Sequence, residues 1–468
     1  MSIVIRGGSV VSATGVSAAD VVVDGETIAA LLAPGSELAV AAAESSDRVI
    51  EAHGRYVVPG GVDVHTHLAL EMSPDATVSD SFETGTAAAA WGGTTTVVDF
   101  CNQTLGDDVR RSVDEQFAKA DGQCVIDYAF HMSMGDVTGS ALKEMPALID
   151  EGITSFKYYM AYPGHVYSDD GQILQAMQVA AETGAMVMMH AENGIAIDVL
   201  REQAAERGNT GPVWHGRTRP SELEGEATHR AISLAAVAGA PVYIVHLSAT
   251  EALAEVAAAR DRGRNVFAET CPQYLYLSIE EHLTQEGIDG LTYVCSPPLR
   301  EHHHSGSLWT GLRADDLSVV STDHCPFCEK DKLLGIEDFR LTPNGLGSIE
   351  HRMDLIHQGV VDGHLSIARW VETCSTTPAR LFGMYPQKGV IAPGSDADIV
   401  IYDPTRRHTL GVESHHMNTD ISAWQGFDLT GAVDSVMSRG QMVIDNSEFV
   451  GRTGHGQFVK RGLSDLLS

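Results

Sequence analysis

Basic residues are scarce in this 468-residue chain: 31 Lys and Arg stand against 63 Asp and Glu, a formal charge of −32 with histidine neutral. A surface so acidic repels phosphate backbones and anionic lipid headgroups, because binding to either relies on clustered Lys and Arg. Neither nucleic acid nor a membrane is therefore expected as a partner. Long apolar stretches are missing too, since no window nears the roughly 18 consecutive apolar residues of a membrane span. Met1–Val11 alternates apolar and polar residues as a strand does, without the apolar block of a signal peptide. Cysteine is sparse and odd in number: Cys101, Cys124, Cys271, Cys295, Cys325, Cys328 and Cys374 are scattered. That argues against a disulfide framework and for a reducing, cytoplasmic location. Cys325-Pro-Phe-Cys328 has redox or half-zinc spacing, but it stands alone. Internal repeats and low-complexity linkers are absent. With 43% hydrophobic and 20% charged residues, the acidity is not that of a disordered chain.

What is present reads as an α/β protein. The first fifty-odd residues hold short β-type runs such as Ser2–Arg6 and Asp20–Val23. From about Val58, apolar strands alternate with Ala-rich helical stretches. Eight strands are expected, at Val57–His65, Thr94–Phe100, Val125–Met132, Ile153–Met160, Ala185–His190, Pro241–Leu247, Asn265–Glu269 and Leu317–Asp323. Continuous apolar runs mark strands buried on both faces, and segments such as Gly171–Thr183 and Thr250–Arg262 supply the crossovers, so a (β/α)8 TIM-like barrel is expected. After about Gly389 the pattern returns to β. Ala397–Tyr402 ends in an Asp-Pro turn, and Ala432–Val443 forms a hairpin around Arg439-Gly440. Both chain ends, 1–56 and 388–468, are expected to build one discontinuous β-sandwich domain flanking a barrel domain at 57–387. His302-His303-His304 reads as a solvated surface run.

In such a barrel, side chains converge at the C-terminal ends of the strands. Strand one ends Asp63-Val64-His65-Thr66-His67, where two histidines two apart on an extended chain point the same way. Lys157 lies on the fourth strand, His190 ends the fifth, His246 the sixth and Asp323 the eighth. A single strand-end histidine is commonly an ordinary polar side chain, and one Asp can merely cap a turn. Together these residues suit zinc at an open site, with manganese, cobalt or iron possible on ligand type. The surplus of ligands points to two metals sharing a bridge. An ammonium in an apolar strand is disfavoured by desolvation. A neutral amine there can add carbon dioxide and become a carboxylate-like carbamate, or the stem can be buried while the head snorkels to a wet mouth.

These segments resemble the dihydropyrimidinase/D-hydantoinase family of the cyclic amidohydrolase superfamily. The resemblance rests on Pro59-Gly-Gly-Val-Asp-Val-His-Thr-His67, Gly92-Gly-Thr-Thr-Thr-Val-Val-Asp-Phe100, Ser155-Phe-Lys-Tyr-Tyr-Met-Ala-Tyr162, His190-Ala-Glu-Asn-Gly194, His246-Leu-Ser248, Cys295-Ser-Pro-Pro-Leu-Arg300, Asp323-His-Cys-Pro-Phe327 and Pro343-Asn-Gly345, in family order across nearly the whole barrel. It implies that His65, His67 and Asp323 bind the more buried of two Zn2+ ions (Mn2+ or Co2+ being possible), and His190 and His246 the second. It further implies that N6-carboxylated Lys157 and a hydroxide bridge them. Tyr162 matches the oxyanion-stabilising tyrosine, and Ser296 and Asn344 match positions whose main chain holds the ring's amide edge. Asp323 would act as general base and then general acid. The implied reaction opens 5,6-dihydropyrimidines or 5-substituted hydantoins to N-carbamoyl amino acids, and the implied assembly is a homotetramer or homodimer.

Two features narrow the substrate. The related dihydroorotases place an arginine two residues after the second histidine of the motif to hold a carboxylate, whereas Leu68-Ala69-Leu70 follows His67 here. The negative charge of the chain also disfavours anions, so a small neutral cyclic ureide or imide is expected. Loops Leu68–Met72 and Tyr159–Tyr167 would line the pocket for its substituent. Allantoinase or another cyclic ureide hydrolase is the alternative. A non-catalytic structural relative would need eroded ligands, and all six are present.

Overall fold

The computed structural model describes residues 1–467. Eight parallel strands form one sheet in chain order: Gly61–Thr66, Thr94–Asn102, Asp127–Ser133, Ser155–Tyr159, Met186–His190, Val242–Ile244, Val266–Thr270 and Val319–Val320. Every residue of the first strand and of the fourth to eighth is buried, which is why they read as largely apolar runs, broken mainly by inward polar residues, rather than as alternating ones. All eight expected barrel strands occur, with one revision at the start. Tyr56–Pro59 leaves the barrel at Gly60 and pairs with Ile399–Thr409 in the outer sheet.

The seam between the first and eighth strands is closed by side chains as much as by backbone. Thr66 and His324 form an isolated parallel bridge, and His67 N–H donates to the His324 carbonyl at 2.8 Å. Asp63 accepts from the Thr322 hydroxyl at 2.6 Å and the Thr322 N–H at 3.2 Å. Arg352, fully buried, donates to the Val62 and Val320 carbonyls at 3.2 and 3.0 Å. This seam sets the histidines of strand one against Asp323.

Crossover helices follow local rules. In Asp170–Thr183, Asp169 accepts the Gln172 N–H at 2.8 Å while the Gln172 side chain accepts the Asp169 N–H at 2.9 Å, and Gly184 at φ +77° stops the helix. Such caps contribute about 1 kcal/mol.

The chain ends build two sheets. One pairs Ser2–Arg6, Asp20–Asp24, Thr27–Leu32 and Arg48–Glu51; the other has seven strands drawn from both ends of the chain. Ile3, Ile5, Val10, Val21, Val23, Ile28, Val57, Ile399, Ile401 and Met437 form the core between them. The hairpin around Arg439-Gly440 is present as Asp428–Ser438 and Gln441–Asp445, with both turn residues at positive φ. Three local expectations are corrected. Ile399–Thr409 runs through Asp403-Pro404 with a shift in register instead of ending there; as Pro404 has no N–H, an irregular stretch accommodates it. Glu37–Ser45 is a helix within the N-terminal β unit, capped by Ser36. His302 and His303 are exposed as expected, but His304 is buried, and its Nδ1 accepts the Thr250 N–H at 3.0 Å.

Candidate metal centre and active site

His65, His67, Lys157, His190, His246 and Asp323 meet at the C-terminal mouth of the barrel. His65 Nε2 lies 3.2 Å from Asp323 Oδ1, and His67 Nε2 lies 3.3 Å from the same oxygen. Ligand atoms of these three all fall within 4.8 Å of one another, a group that could hold a metal ion. Lys157 Nζ is 2.9 Å from His65 Nε2 and 4.4 Å from the Phe100 ring centroid. The His246 ring is 5.3 Å from that of His65 and 4.6 Å from that of His190. The expected site residues are thus brought together, and the lysine is buried at 2% exposure rather than snorkelling.

The electrostatics suit a cation. Burial, then the Lys157 ammonium, holds His65 well below the usual imidazole range. Burial does the same for His246, and to a smaller degree for His67. At neutral pH these rings are uncharged, each with one protonated nitrogen and one nitrogen lone pair. Burial opposes ionisation of Asp323, yet His65, His67 and Lys157 overcome it and hold its carboxyl at about 2. Neutral imidazoles converging with an ionised carboxylate are the donor set of an open transition-metal site. The residues therefore fit a metal centre.

Three of these side chains sit on unusual backbone. Tyr162, His246 and Asp323 have φ of +62°, +39° and +50°, a region costly for non-glycine residues and concentrated at functional sites. Each lies where its strand ends and the chain must turn its side chain into the mouth. The Tyr162 ring is 5.2 Å from that of His190, and the Ser296 hydroxyl donates to Glu192 at 3.2 Å. Among the described residues, the peptide N–H and C=O groups of Ser296 and Asn344 have no hydrogen-bond partner. Unpaired peptide groups beside a mouth are available to a ligand.

A family model described as the amidohydrolase family matches residues 56–443. The chain belongs to this family. Among its amidohydrolase relatives it is 55% identical over 466 residues to the D-hydantoinase of Streptomyces coelicolor, with 99% of each chain covered. It is 44% identical to the D-hydantoinase of Geobacillus stearothermophilus, covering 98% of this chain and 97% of that one. The crystal structure of dihydropyrimidinase from Brevibacillus agri NCHU1002 superposes with a TM-score of 0.96 at 45% identity, covering 99% of each chain.

This amidohydrolase also orients its ring donors with residues the sequence reading did not single out. Glu269 accepts from Tyr243 OH at 2.7 Å and from His246 N–H at 3.0 Å, and contacts His65 Nδ1. A proton on that Nδ1 leaves the Nε2 lone pair facing Asp323 and Lys157. Glu192 does the same from the other side: its Oε2 is 2.8 Å from His190 Nε2 and accepts from Ser296 Oγ at 3.2 Å. Burial raises Glu269 to about 7, while His190 and Arg219 overcome the burial of Glu192 and hold it at about 2. An acid on the inward face of an otherwise apolar strand was the available signal for Glu269, and the His-Ala-Glu spacing was the signal for Glu192. Leu68 corrects an expectation. It is fully buried, and an added Cβ on Gly85 would come within 2.3 Å of its side chain, so it packs under the mouth instead of lining it. Leu70 packs on Ala76, Val78, Cys325 and Phe327.

Proposed function

We propose that this chain is a metal-dependent hydrolase that opens the cyclic amide bond of dihydropyrimidines, 5-substituted hydantoins or both, giving N-carbamoyl amino acids. The observation that carries the reading is the convergence of four histidines, Asp323 and Lys157 beside Tyr162 and two unpaired peptide edges. The similarity to proteins named D-hydantoinase and dihydropyrimidinase supports it.

His65, His67 and Asp323 would hold one zinc ion, His190 and His246 a second, and Lys157, carboxylated, would join the two. When bound, such a pair lowers the pKa of a shared water from about 16 to about 7 and polarises the ring carbonyl. Asp323, ionised at neutral pH, takes a proton as the water oxygen bonds to the carbonyl carbon. It then delivers that proton to the ring nitrogen as the C–N bond breaks. Tyr162 stays a protonated phenol because burial raises its pKa, so it can donate to the developing oxyanion. The main chain of Ser296 and Asn344 holds the amide edge of the ring.

The scarcity of Lys and Arg and the apolar run after His67 support a neutral ring over an anionic one. Residues 57–387 would carry the reaction, with 1–56 and 388–468 as the supporting sandwich. A homotetramer or homodimer is the assembly that the family resemblance implies. Seven free cysteines support a reducing cytoplasm, and no helix of the described residues is long and apolar enough to cross a membrane. The test is ring opening of dihydrouracil, hydantoin, 5-phenylhydantoin, allantoin and dihydroorotate, followed by loss of absorbance. The neutral dihydropyrimidine and hydantoin rings are expected to turn over and dihydroorotate to be poor; preference for dihydroorotate overturns the reading.

A further inference from the structure

Lys332 lies nine residues beyond Asp323, at the end of the short helix Glu329–Lys332, and is 1% exposed. Its ammonium faces no carboxylate. Nζ donates instead to three main-chain carbonyls: Val294 at 2.8 Å, Pro343 at 2.9 Å and Gly345 at 2.8 Å. Burial lowers its pKa to about 8, so at pH 7 it is an ammonium whose three N–H groups are all engaged.

The identity of those carbonyls matters. Pro343 and Gly345 flank Asn344, and Val294 stands two residues before Ser296. The Val294 carbonyl also accepts the Gly345 N–H at 3.0 Å, which joins the two segments directly. The 295–297 stretch has further anchors, with Cys295 O accepting from His215 Nε2 at 2.7 Å and Pro297 O from Tyr274 OH at 2.9 Å. For the carbonyls of Pro343 and Gly345, Lys332 is the partner. Gly345 is packed so tightly that an added Cβ would lie 2.2 Å from the Cys325 carbonyl. The loop carrying Asp323, the helix carrying Lys332 and the two segments therefore form one packed unit.

We propose that Lys332 is a positioning residue for substrate: by binding the carbonyls of Val294, Pro343 and Gly345, its ammonium fixes the spacing between the Ser296 and Asn344 peptide groups that grip the amide edge of the ring. This rests on the reading of Ser296 and Asn344 given above. Lys332 touches neither the ring nor a metal ligand in this arrangement. Its loss blurs the edge-binding geometry while the donors of the metal centre stay in place.

The experiment compares wild-type holoenzyme with Lys332→Met and Lys332→Gln at pH 7, measuring metal content, kcat and KM for hydantoin. Lys332→Met keeps an unbranched stem as far as Cε and removes the donors, and Lys332→Gln keeps two N–H groups on a shorter stem. Wild-type metal content is expected in both, with KM raised about tenfold in Lys332→Met, less in Lys332→Gln, and kcat changed less than KM. An unchanged KM, a loss confined to kcat, or failure of both variants to fold overturns the proposal, the last by making Lys332 a folding residue. Hydantoin methylated at N1 or at N3 separates the two layers. Wild type that accepts both methylated rings as well as hydantoin contradicts the edge reading itself. Wild type that rejects one of them while Lys332→Met behaves as wild type contradicts only the role of Lys332.

Discussion

Two lysines are buried at opposite ends of the barrel, and they are solved differently. At the floor, Lys388 Nζ sits 2.6 Å from Asp127, 2.8 Å from Asp398 and 2.9 Å from Asp396. Burial would neutralise this amine, but the three carboxylates overcome burial and raise its pKa. Arg439 adds a second cation, with Nε 3.0 Å from both oxygens of Asp127. The acids could hold a metal ion, and the lysine fills their centre. At the mouth, Lys157 meets a histidine nitrogen and an aromatic face, and among the described residues it forms no ion pair. The floor gives each carboxylate a cation partner and ties the sandwich to the barrel, since Asp127 opens a barrel strand while Asp398 precedes a strand of the outer sheet. The mouth leaves its lysine without a carboxylate at ion-pair distance, while Asp323, among the described residues, contacts only histidine nitrogens. Chemistry sits where the fold withholds partners, and stability sits where it supplies them.

Mutations at the two ends separate these roles. Lys157→Ala is expected to lose both metals and to reduce ring opening by about 10³-fold or more, with the protein still folded; metal analysis and circular dichroism check it. Retained metal at wild-type stoichiometry would break the contrast. Lys388→Met removes the cation shared by the buried Asp127 and Asp398 and the partly buried Asp396 and should cost about 3–5 kcal/mol of stability, read as a lowered urea midpoint, while the folded fraction keeps its metals. An unchanged midpoint would mean that the floor is not a compensated cage. Tyr162→Phe should lower kcat by about 10²–10³-fold with unchanged metal content, which isolates the oxyanion donor from the metal ligands.

The smallest effect concerns acid. His351 is held at about 3, by burial first and then by His415 and His408, against 6.5 for a free imidazole. Between those values the unfolded chain binds the extra proton. Stability is thus fully present above about pH 6.5 and falls as pH drops toward 3, by about 1.4 kcal/mol per pH unit for one site. His351→Gln should flatten that slope in urea titrations between pH 4.5 and 6.5, and an unchanged slope contradicts the assignment.

The barrel and the six inward donors were legible because strands buried on both faces read as apolar runs, and because five donors sit at or just past a strand end while Lys157 interrupts the strand Ser155–Tyr159. His65 and His67 were legible together, since a two-residue period places both on one face. Glu269 and Lys332 were not, because their significance lies in pairings across 204 and up to 38 residues that no local period encodes, whereas Glu192 pairs with His190 two residues away and was open to the same two-residue reading. Leu68 shows the same limit from the other side. An apolar residue after His67 was legible as unable to bind a carboxylate, but whether it faced substrate or core depended on the fit against Gly85. The helix Glu37–Ser45 was hidden within a segment dominated by short strands.

The proposed carboxylation of Lys157, which would give a lysine without a carboxylate partner one of its own, is the step most directly open to test. The most direct measurement strips the protein of metal and restores zinc in carbon-dioxide-free buffer, with and without bicarbonate, while following dihydrouracil or hydantoin ring opening. Activity should return with zinc and bicarbonate together, at two metals per chain, and stay low with zinc alone. Full activity in the stripped protein, or full recovery with zinc in the absence of carbon dioxide, would contradict the account.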